Sequence, residues 1–554
     1  MKNINKIIIM MLVVASLGSC AKDWLDINKD PNYPTTPELS QLLSASELEM
    51  SNAVGHGNYI SNALSSYVHQ TNAREVQNYS MGTQANNPAN TWNTLYRYGA
   101  KNFDEIIKFA EADDNMIYSG IAKTLKAYTF SVLVDLWGDV PYSEFNVDGV
   151  TAPKADSGKD TYNALIALLE EAAGDLSNTG AANIAKPGTD DFFYGGNTTR
   201  WIKLNNTLKL KLLLQSRKAK ADITDWQGKL NALTSANNFI ASGEDFQFLF
   251  PGGTSPTDMR HPAFTDGYTG QHTFYLSPYF YETMMGETYN TIDNPFSGIK
   301  DPRVPYYFYR QLAPGQASEN AHEYRNGDFM SIFFASNGPN SARTNDGSNS
   351  KIGIYACGGK YDDGKGGRVS LTTGNGIAPQ KIISFSCLKF MLAELALVGD
   401  YSGDAKTLLQ EGITASIAHV NTGAGYQAGT PTIATASRDE FITAVLEKYD
   451  NADANGKMRI LITQKWIANF MSPLDSYNDI RRTGYPILFD PQKTENPGFG
   501  VNPTPTDLSP EQVPLLNFAS FPRSLYYPAN SEIELNPNMQ QKTNISTPFV
   551  FWDK

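Results

Sequence analysis

Residues 117–137 read IYSGIAKTLKAYTFSVLVDLW, and their spacing decides the fold class. Ile117, Ile121, Leu125, Tyr128, Val132 and Leu136 recur at steps of three and four, which puts them on one face of an α-helix. Gly138 and Pro141 follow and stop it. Upstream, Phe103, Ile106, Ile107 and Ala110 mark a second helix within residues 91–112. The link between the two is short and polar (Asp113, Asp114, Asn115), and helices joined in this way pack antiparallel.

The same design recurs along the chain. Tyr162, Leu165, Leu169, Ala172 and Leu176 predict a helix, and Trp201, Leu204, Leu208 and Leu212 predict its partner. Residues 382–398 and 405–417 form a third pair, joined around Gly399 to Gly403. Phe441, Val445 and Lys448 lead into residues 460–471 as a fourth. The expectation is a mainly α protein, a solenoid-like stack in which each pair buries its apolar face on its neighbours. The tetratricopeptide sequence signature itself is not matched. Between residues 250 and 380 the helical pattern gives way to Gly, Asn, Ser, Pro and Tyr, and after Pro486 the chain is again rich in proline. Residues 38–554 therefore read as one body. Residues 38–249 and 381–472 are its helical scaffold, and 250–380 and 473–554 are a loop-rich cover of the kind that carries function.

The N-terminus says where the protein works. Lys2 and Lys6 precede an apolar run from Ile7 to Val14 and then small residues up to Cys20. Residues 1–19 read as a secretory signal, with an apolar run shorter than the ~20 residues a spanning helix needs. The sequence Leu17-Gly18-Ser19-Cys20 resembles a bacterial lipobox, which implies cleavage before Cys20 and a diacylglycerol on its thiol. Several buried acyl chains, at ~0.8 kcal/mol per methylene, hold a protein stably on a membrane. Pro31, Pro34 and Pro37 make residues 20–37 an extended spacer from that anchor.

Composition narrows the function. The formal charge is −12, and becomes about −14 once Lys2 and Lys6 are removed. An acidic body without a Lys/Arg cluster argues against nucleic acid as a partner. Besides Cys20 there are two cysteines, Cys357 and Cys387. An envelope disulfide or two separately buried thiols would both fit, and the apolar helical setting of Cys387 favours the second.

Catalytic patterns are weak. None of the six histidines falls in an H-E-x-x-H pattern, and no G-x-S-x-G elbow occurs. Residues 359–366 approach a P-loop, but Gly366 stands where Ser or Thr should hold magnesium, so a surface turn is expected. Asn451, Asp453, Asn455 and Gly456 imitate the start of a calcium loop, yet its twelfth position is Ile462. That segment reads as a turn between helices. No catalytic residue, metal ligand or cofactor is assigned, although a structural calcium ion is left open.

Binding chemistry is easier to find. Sugar rings stack on aromatic side chains, and their hydroxyls need Asn, Gln, Asp and Arg. Residues 67–92 supply both kinds, with Arg74, Asn78 and Tyr79 the leading candidates because Tyr79 has polar neighbours on both sides. Trp92, at a helix start, reads as packing. Tyr268, Gln271, His272, Phe274 and Tyr275 form a second cluster, from which Tyr268, His272 and Tyr275 are candidates. Residues 301–309 form a third.

Several stretches converge on one family. The N-terminal residues 20–32 (CAKDWLDINKDPN), residues 134–143 (VDLWGDVPYS), residues 464–467 (QKWI) and residues 479–486 (DIRRTGYP) resemble the SusD/RagB lipoproteins of Bacteroidetes. So do Phe521-Pro522-Arg523, Tyr527-Pro528, Glu532 and Asn536, and the order fits the SusD-like-2 branch. The resemblance implies four tetratricopeptide-like pairs covered by loop-rich segments. It also implies a non-catalytic, lipid-anchored protein on the cell-surface face of the outer membrane. Its partner would be a SusC-like, TonB-dependent barrel that it caps as a hinged lid, delivering oligosaccharides or, in some members, peptides. A surface glycoside hydrolase is the reading from another class. The shared motifs read as scaffold, with Arg481 and Arg482 paired to buried carboxylates or carbonyls.

Overall fold

The computed structural model describes residues 38–55, 64–69, 89–269, 274–288, 294–319, 324–332, 334, 347–488 and 520–554. Ten helices organise it: α1 (Leu39–Val54), α2 (Lys101–Ala112), α3 (Met116–Trp137), α4 (Gly158–Leu176), α5 (Thr198–Gln215), α6 (Phe385–Leu397), α7 (Ala405–Ala424), α8 (Thr435–Asp450), α9 (Ala454–Ala468) and α10 (Pro473–Thr483). The four expected pairs are α2/α3, α4/α5, α6/α7 and α8/α9, and consecutive helices pack on one another. Short helices, π-helical turns and two-stranded antiparallel pairs make up the rest of the regular structure described.

Helix α3 is buried nearly all round, because α2 and α4 flank it on both sides. Its polar residues are therefore paired. Lys123 bridges Glu111 of α2 and Asp175 of α4, each at 2.8 Å. The Asn205 amide donates to the Thr124 hydroxyl at 3.0 Å. The helix ends where Gly138 takes φ +82°, a conformation L side chains rarely adopt. The next residues build the corner into α4. The Asp139 carboxylate accepts the Gly158 N–H at the start of α4 (2.8 Å), and Val140 pairs with Asp156. The C-terminal segment closes over this corner: the Tyr527 hydroxyl donates to the Asp139 carbonyl (2.6 Å) and the Lys542 ammonium to that of Trp137 (2.7 Å).

Arg481 and Arg482, adjacent on α10, tie the two halves of the scaffold together. Arg481 donates to the backbone carbonyls of Asp135 (2.7 Å) and Arg523 (2.8 Å). Arg482 forks onto Glu394 of α6 (3.0 and 2.7 Å), reaches Asp479 (2.5 Å) and bonds to Gln215 of α5. Glu394 also takes Arg217 Nε at 2.9 Å, and Asp479 takes Lys465 of α9. Burial opposes ionisation of Glu394, but these cations hold its carboxyl down at about 2.

Several boundaries differ from the sequence reading. Residue 382 lies in a strand, Ala378–Ile383, paired with Phe246–Phe250; α6 starts only after Ser384, whose hydroxyl caps the Cys387 N–H. The cover is not all loop. It holds short helices at Pro262–Gly267, Pro278–Met285 and Val304–Tyr307, while α10 begins with Pro473 at its N-terminus and ends on Gly484 at φ +80°. Helix Trp226–Ala236 adds to the scaffold. Cys357 and Cys387 are separate, buried and free. Asp453 caps α9 by accepting the Gly456 N–H (2.7 Å), so the calcium-like stretch is a helix–helix turn.

The apolar interior has two centres. One lies among α1–α6 and the C-terminal segment. The other joins α7–α9 to the aromatic residues of the cover.

Candidate functional site

Described parts of the three polar–aromatic clusters meet: Tyr67 to His69, Phe274 to Leu276 and Phe308. The strand Val68–His69 pairs antiparallel with Tyr275–Leu276, joining the first cluster to the second. Phe280 then touches Tyr67 (centroids 5.2 Å apart) and Phe308 of the third (5.5 Å). Tyr67 is sealed beneath them: its ring stacks on Trp466 at 5.5 Å and its hydroxyl donates to the Trp466 carbonyl at 2.6 Å. His69 is buried, and burial pushes its imidazole down to about 4.

Two candidate ligand residues are corrected here. Tyr268 and Tyr275 are each 2% exposed and offer no ring face to a ligand. Tyr268 stacks on Phe264 at 4.7 Å; its hydroxyl donates to the Ile352 carbonyl (2.7 Å) and accepts the Lys360 N–H (2.8 Å). Tyr275 faces the backbone of His69 in the strand pair. Trp92 is packing, as its position suggested, with its ring edge-on to Trp137 at 5.1 Å. Cys20, Arg74, Asn78, Tyr79 and His272 lie outside the described residues.

From the third cluster, Asp301, Pro302, Val304 and Pro305 line a cleft of about 510 Å³, while its aromatic residues do not. One wall is the cover from Tyr281 to Arg310, with Asp362; the other is the first half of α8, from Ser437 to Ala444. Met285, Ile299, Val304 and Phe441 make much of the lining apolar. Its floor is a buried ion pair. Arg303, fully buried, grips Asp301 with three nitrogen contacts (2.6 to 3.2 Å) and extends to Ser416 of α7 (2.7 Å) and Gln464 of α9 (2.9 Å). Its guanidinium lies 5.7 Å over the ring of Phe441. The floor thus ties the cover to three scaffold helices.

On the wall, Arg310 is held rigidly. Asp362 accepts its backbone N–H (3.2 Å), Nε (2.7 Å) and Nη2 (3.3 Å), and also the Gly364 N–H (2.9 Å). The Arg310 side chain stays 31% exposed. Tyr281 stacks on Phe329 with centroids 3.9 Å apart and planes at 8°. Its hydroxyl, like Arg310 Nη1, has no partner among the described residues. Lys300 and Glu440 line the cleft as exposed charges. Sequence reasoning reached residues 301–309 but not Tyr281, Arg310, Ser437 or Glu440, which only the fold brings to one cleft. A second hollow of about 530 Å³ lies beside it, along Gly286–Thr288 and Arg325–Gly327.

Among the described residues, no group of three His, Cys, Asp or Glu side chains could hold a metal ion, and no helix is long and apolar enough to cross a membrane.

The family described as "Starch-binding associating with outer membrane" matches residues 31–502. None of the curated proteins compared with the chain matches it. Among solved structures, the chain is similar to a chitin-binding protein, at 19% identity and TM-score 0.66, covering 93% of this chain and 100% of the other. A SusD homologue from Bacteroides fragilis is 18% identical with TM-score 0.63, covering 94% and 99%. A chitin-binding SusD homologue from Flavobacterium johnsoniae is 19% identical with TM-score 0.62, covering 92% and 98%. At such identities the likeness speaks to the fold.

Proposed function

This chain belongs to the SusD-like family, and on that premise we propose that it is a glycan-capturing lipoprotein of the outer-membrane surface. The family match over residues 31–502 is the observation that carries the reading. The two chitin-binding relatives support a carbohydrate ligand. In this reading Cys20 carries the lipid anchor and residues 21–37 lift the body from the membrane. Captured oligosaccharide passes to a SusC-like, TonB-dependent barrel, and no bond is broken. Tethering keeps bound ligand concentrated near that barrel. Arg74, Asn78, Tyr79 and His272 remain the proposed contacts outside the described residues. A peptide ligand is the second reading, favoured by the unpaired Lys300 and Glu440, which would suit a zwitterionic chain.

The test is a titration of the mature chain against glycans and peptides side by side, with assay for new reducing ends. Glycan binding without turnover is expected, and Tyr79→Ala should weaken it by about 1–3 kcal/mol if its ring stacks on the ligand as aromatics stack on bases. Peptide binding alone, or release of new reducing ends, would overturn the reading.

A further inference from the structure

We propose that the cleft between residues 281–310 and α8 is a subsite for an acetamido sugar, a hexose bearing an N-acetyl group. The inference rests on the glycan-binding reading above and narrows it to a substrate class.

The lining carries the argument. At about 510 Å³ the cleft has the size of a small-molecule site, and every residue that lines it is described. Met285, Ile299, Val304 and Phe441 would strip water from a sugar's hydroxyls without replacing the lost hydrogen bonds. A sugar with only hydroxyl substituents is therefore a poor occupant, and one carrying a methyl group a better one.

The polar groups are few and divide by role. Tyr281 and Arg310 line the cover side with donors free to act, the phenol O–H and Arg310 Nη1. Arg310 is pre-organised, since Asp362 is engaged by four N–H contacts and is itself only 6% exposed. It can receive an acceptor oxygen without reorganising. Across the cleft Glu440 supplies an unpaired acceptor and Ser437 a hydroxyl.

An acetamido group matches this set. Its carbonyl accepts from Arg310 and Tyr281, its N–H donates to Glu440, and its methyl packs on the apolar wall. A uronic acid fits less well. Its carboxylate would meet one unpaired cation, Lys300, and one unpaired anion, Glu440, while Arg310 and Arg303 are each neutralised by an aspartate, so the cleft offers it no net positive charge.

The experiment is calorimetric titration of the full mature chain with three trisaccharides of one backbone: triacetylchitotriose, its deacetylated form and cellotriose. A trigalacturonate is added as the acidic probe. Triacetylchitotriose should bind at least tenfold more tightly than the other three. Tyr281→Phe, which keeps the ring stacked on Phe329, should lose about threefold to tenfold for this ligand alone. Glu440→Ala, an exposed change that removes the acceptor for the acetamido N–H, should also weaken binding of triacetylchitotriose. Equal binding of cellotriose or trigalacturonate, or full affinity in both variants, would overturn the subsite while leaving glycan capture standing. Failure to bind any glycan, these or others, would overturn both.

Discussion

Arg482→Ala tests the ionic knot that joins the two halves of the scaffold. Arg482 is 1% exposed and its guanidinium faces Glu394 and Gln215 on two other helices and Asp479 in the preceding turn of its own. Removing one partner of a buried pair costs about 3–5 kcal/mol, because the partner's charge is left without its counter-ion. Here Glu394 keeps Arg217 and Asp479 keeps Lys465, which places the loss toward the lower end, at about 3 kcal/mol at pH 7. The pH dependence supplies a second signature. In the wild type Glu394 titrates at about 2, below its ordinary 4.5, so its stabilising contribution is complete above 4.5 and is lost as pH falls toward 2. Without Arg482, burial raises that carboxyl. The folded variant then binds a proton before the unfolded chain does, and its deficit shrinks as pH falls from 7 toward 4.5. Urea unfolding followed by tryptophan fluorescence and circular dichroism at pH 7 and 4.5 measures both effects, and coincident transitions license the free energies. A loss below about 1 kcal/mol, or an equal loss at both pH values, would refute the reasoning.

Gly138→Ala should destabilise the protein by about 1–3 kcal/mol, since φ is +82° and a Cβ would sit 2.6 Å from the Phe549 ring; thermal or urea unfolding reads it directly. Lys381 is buried, and desolvation lowers its ammonium from 10.5 to about 7. Between those values only the unfolded chain holds the proton, so stability should rise as pH climbs from 7 toward 10. Lys381→Met should flatten that rise in urea midpoints measured at pH 6, 8 and 10; an unchanged slope would assign the rise to other groups. Cys20→Ala should release the protein from the outer-membrane fraction into the soluble fraction, whereas unchanged membrane attachment would exclude the lipid anchor.

Local pattern made the scaffold legible and left the cover obscure. Helix α3 could be read from six apolar residues at helical spacing, and its stop from Gly138. Arg481 and Arg482 could be read as buried-pair residues, because they fall in a motif shared with the SusD/RagB lipoproteins that reads as scaffold. Ile382 and Ile383 misled because two apolar residues next to a helical pattern fit a strand end or a helix start equally well. Helix α10 was hidden by its polar composition, although Pro473 and Gly484 bracket it as start and stop signals. Tyr268 and Tyr275 misled for a different reason. Polar neighbours in sequence suggested exposure, yet burial is fixed by residues distant in sequence: Tyr268 bonds to Ile352 and Lys360, and Tyr275 meets His69. The cleft needs residues 281–310, 362 and 437–444 at once, and no local pattern joins them.

The position of the cleft bears on how it would work. One wall belongs to the scaffold and the other to the cover, so its shape depends on how the cover sits on the helices. Arg303 removes that freedom at the floor. It leaves the cover, pairs with Asp301, and bonds to Ser416 and Gln464 beneath the ring of Phe441, which ties one point of the cover to α7, α8 and α9. Asp362 does the same for Arg310 on the wall. A site whose groups are already fixed needs little ordering when ligand arrives. It can therefore discriminate through a few aligned hydrogen bonds while its small contact area keeps total affinity modest. Selectivity without tight retention is what the proposed capture and onward release would require, and two arginines immobilised by aspartates would supply it.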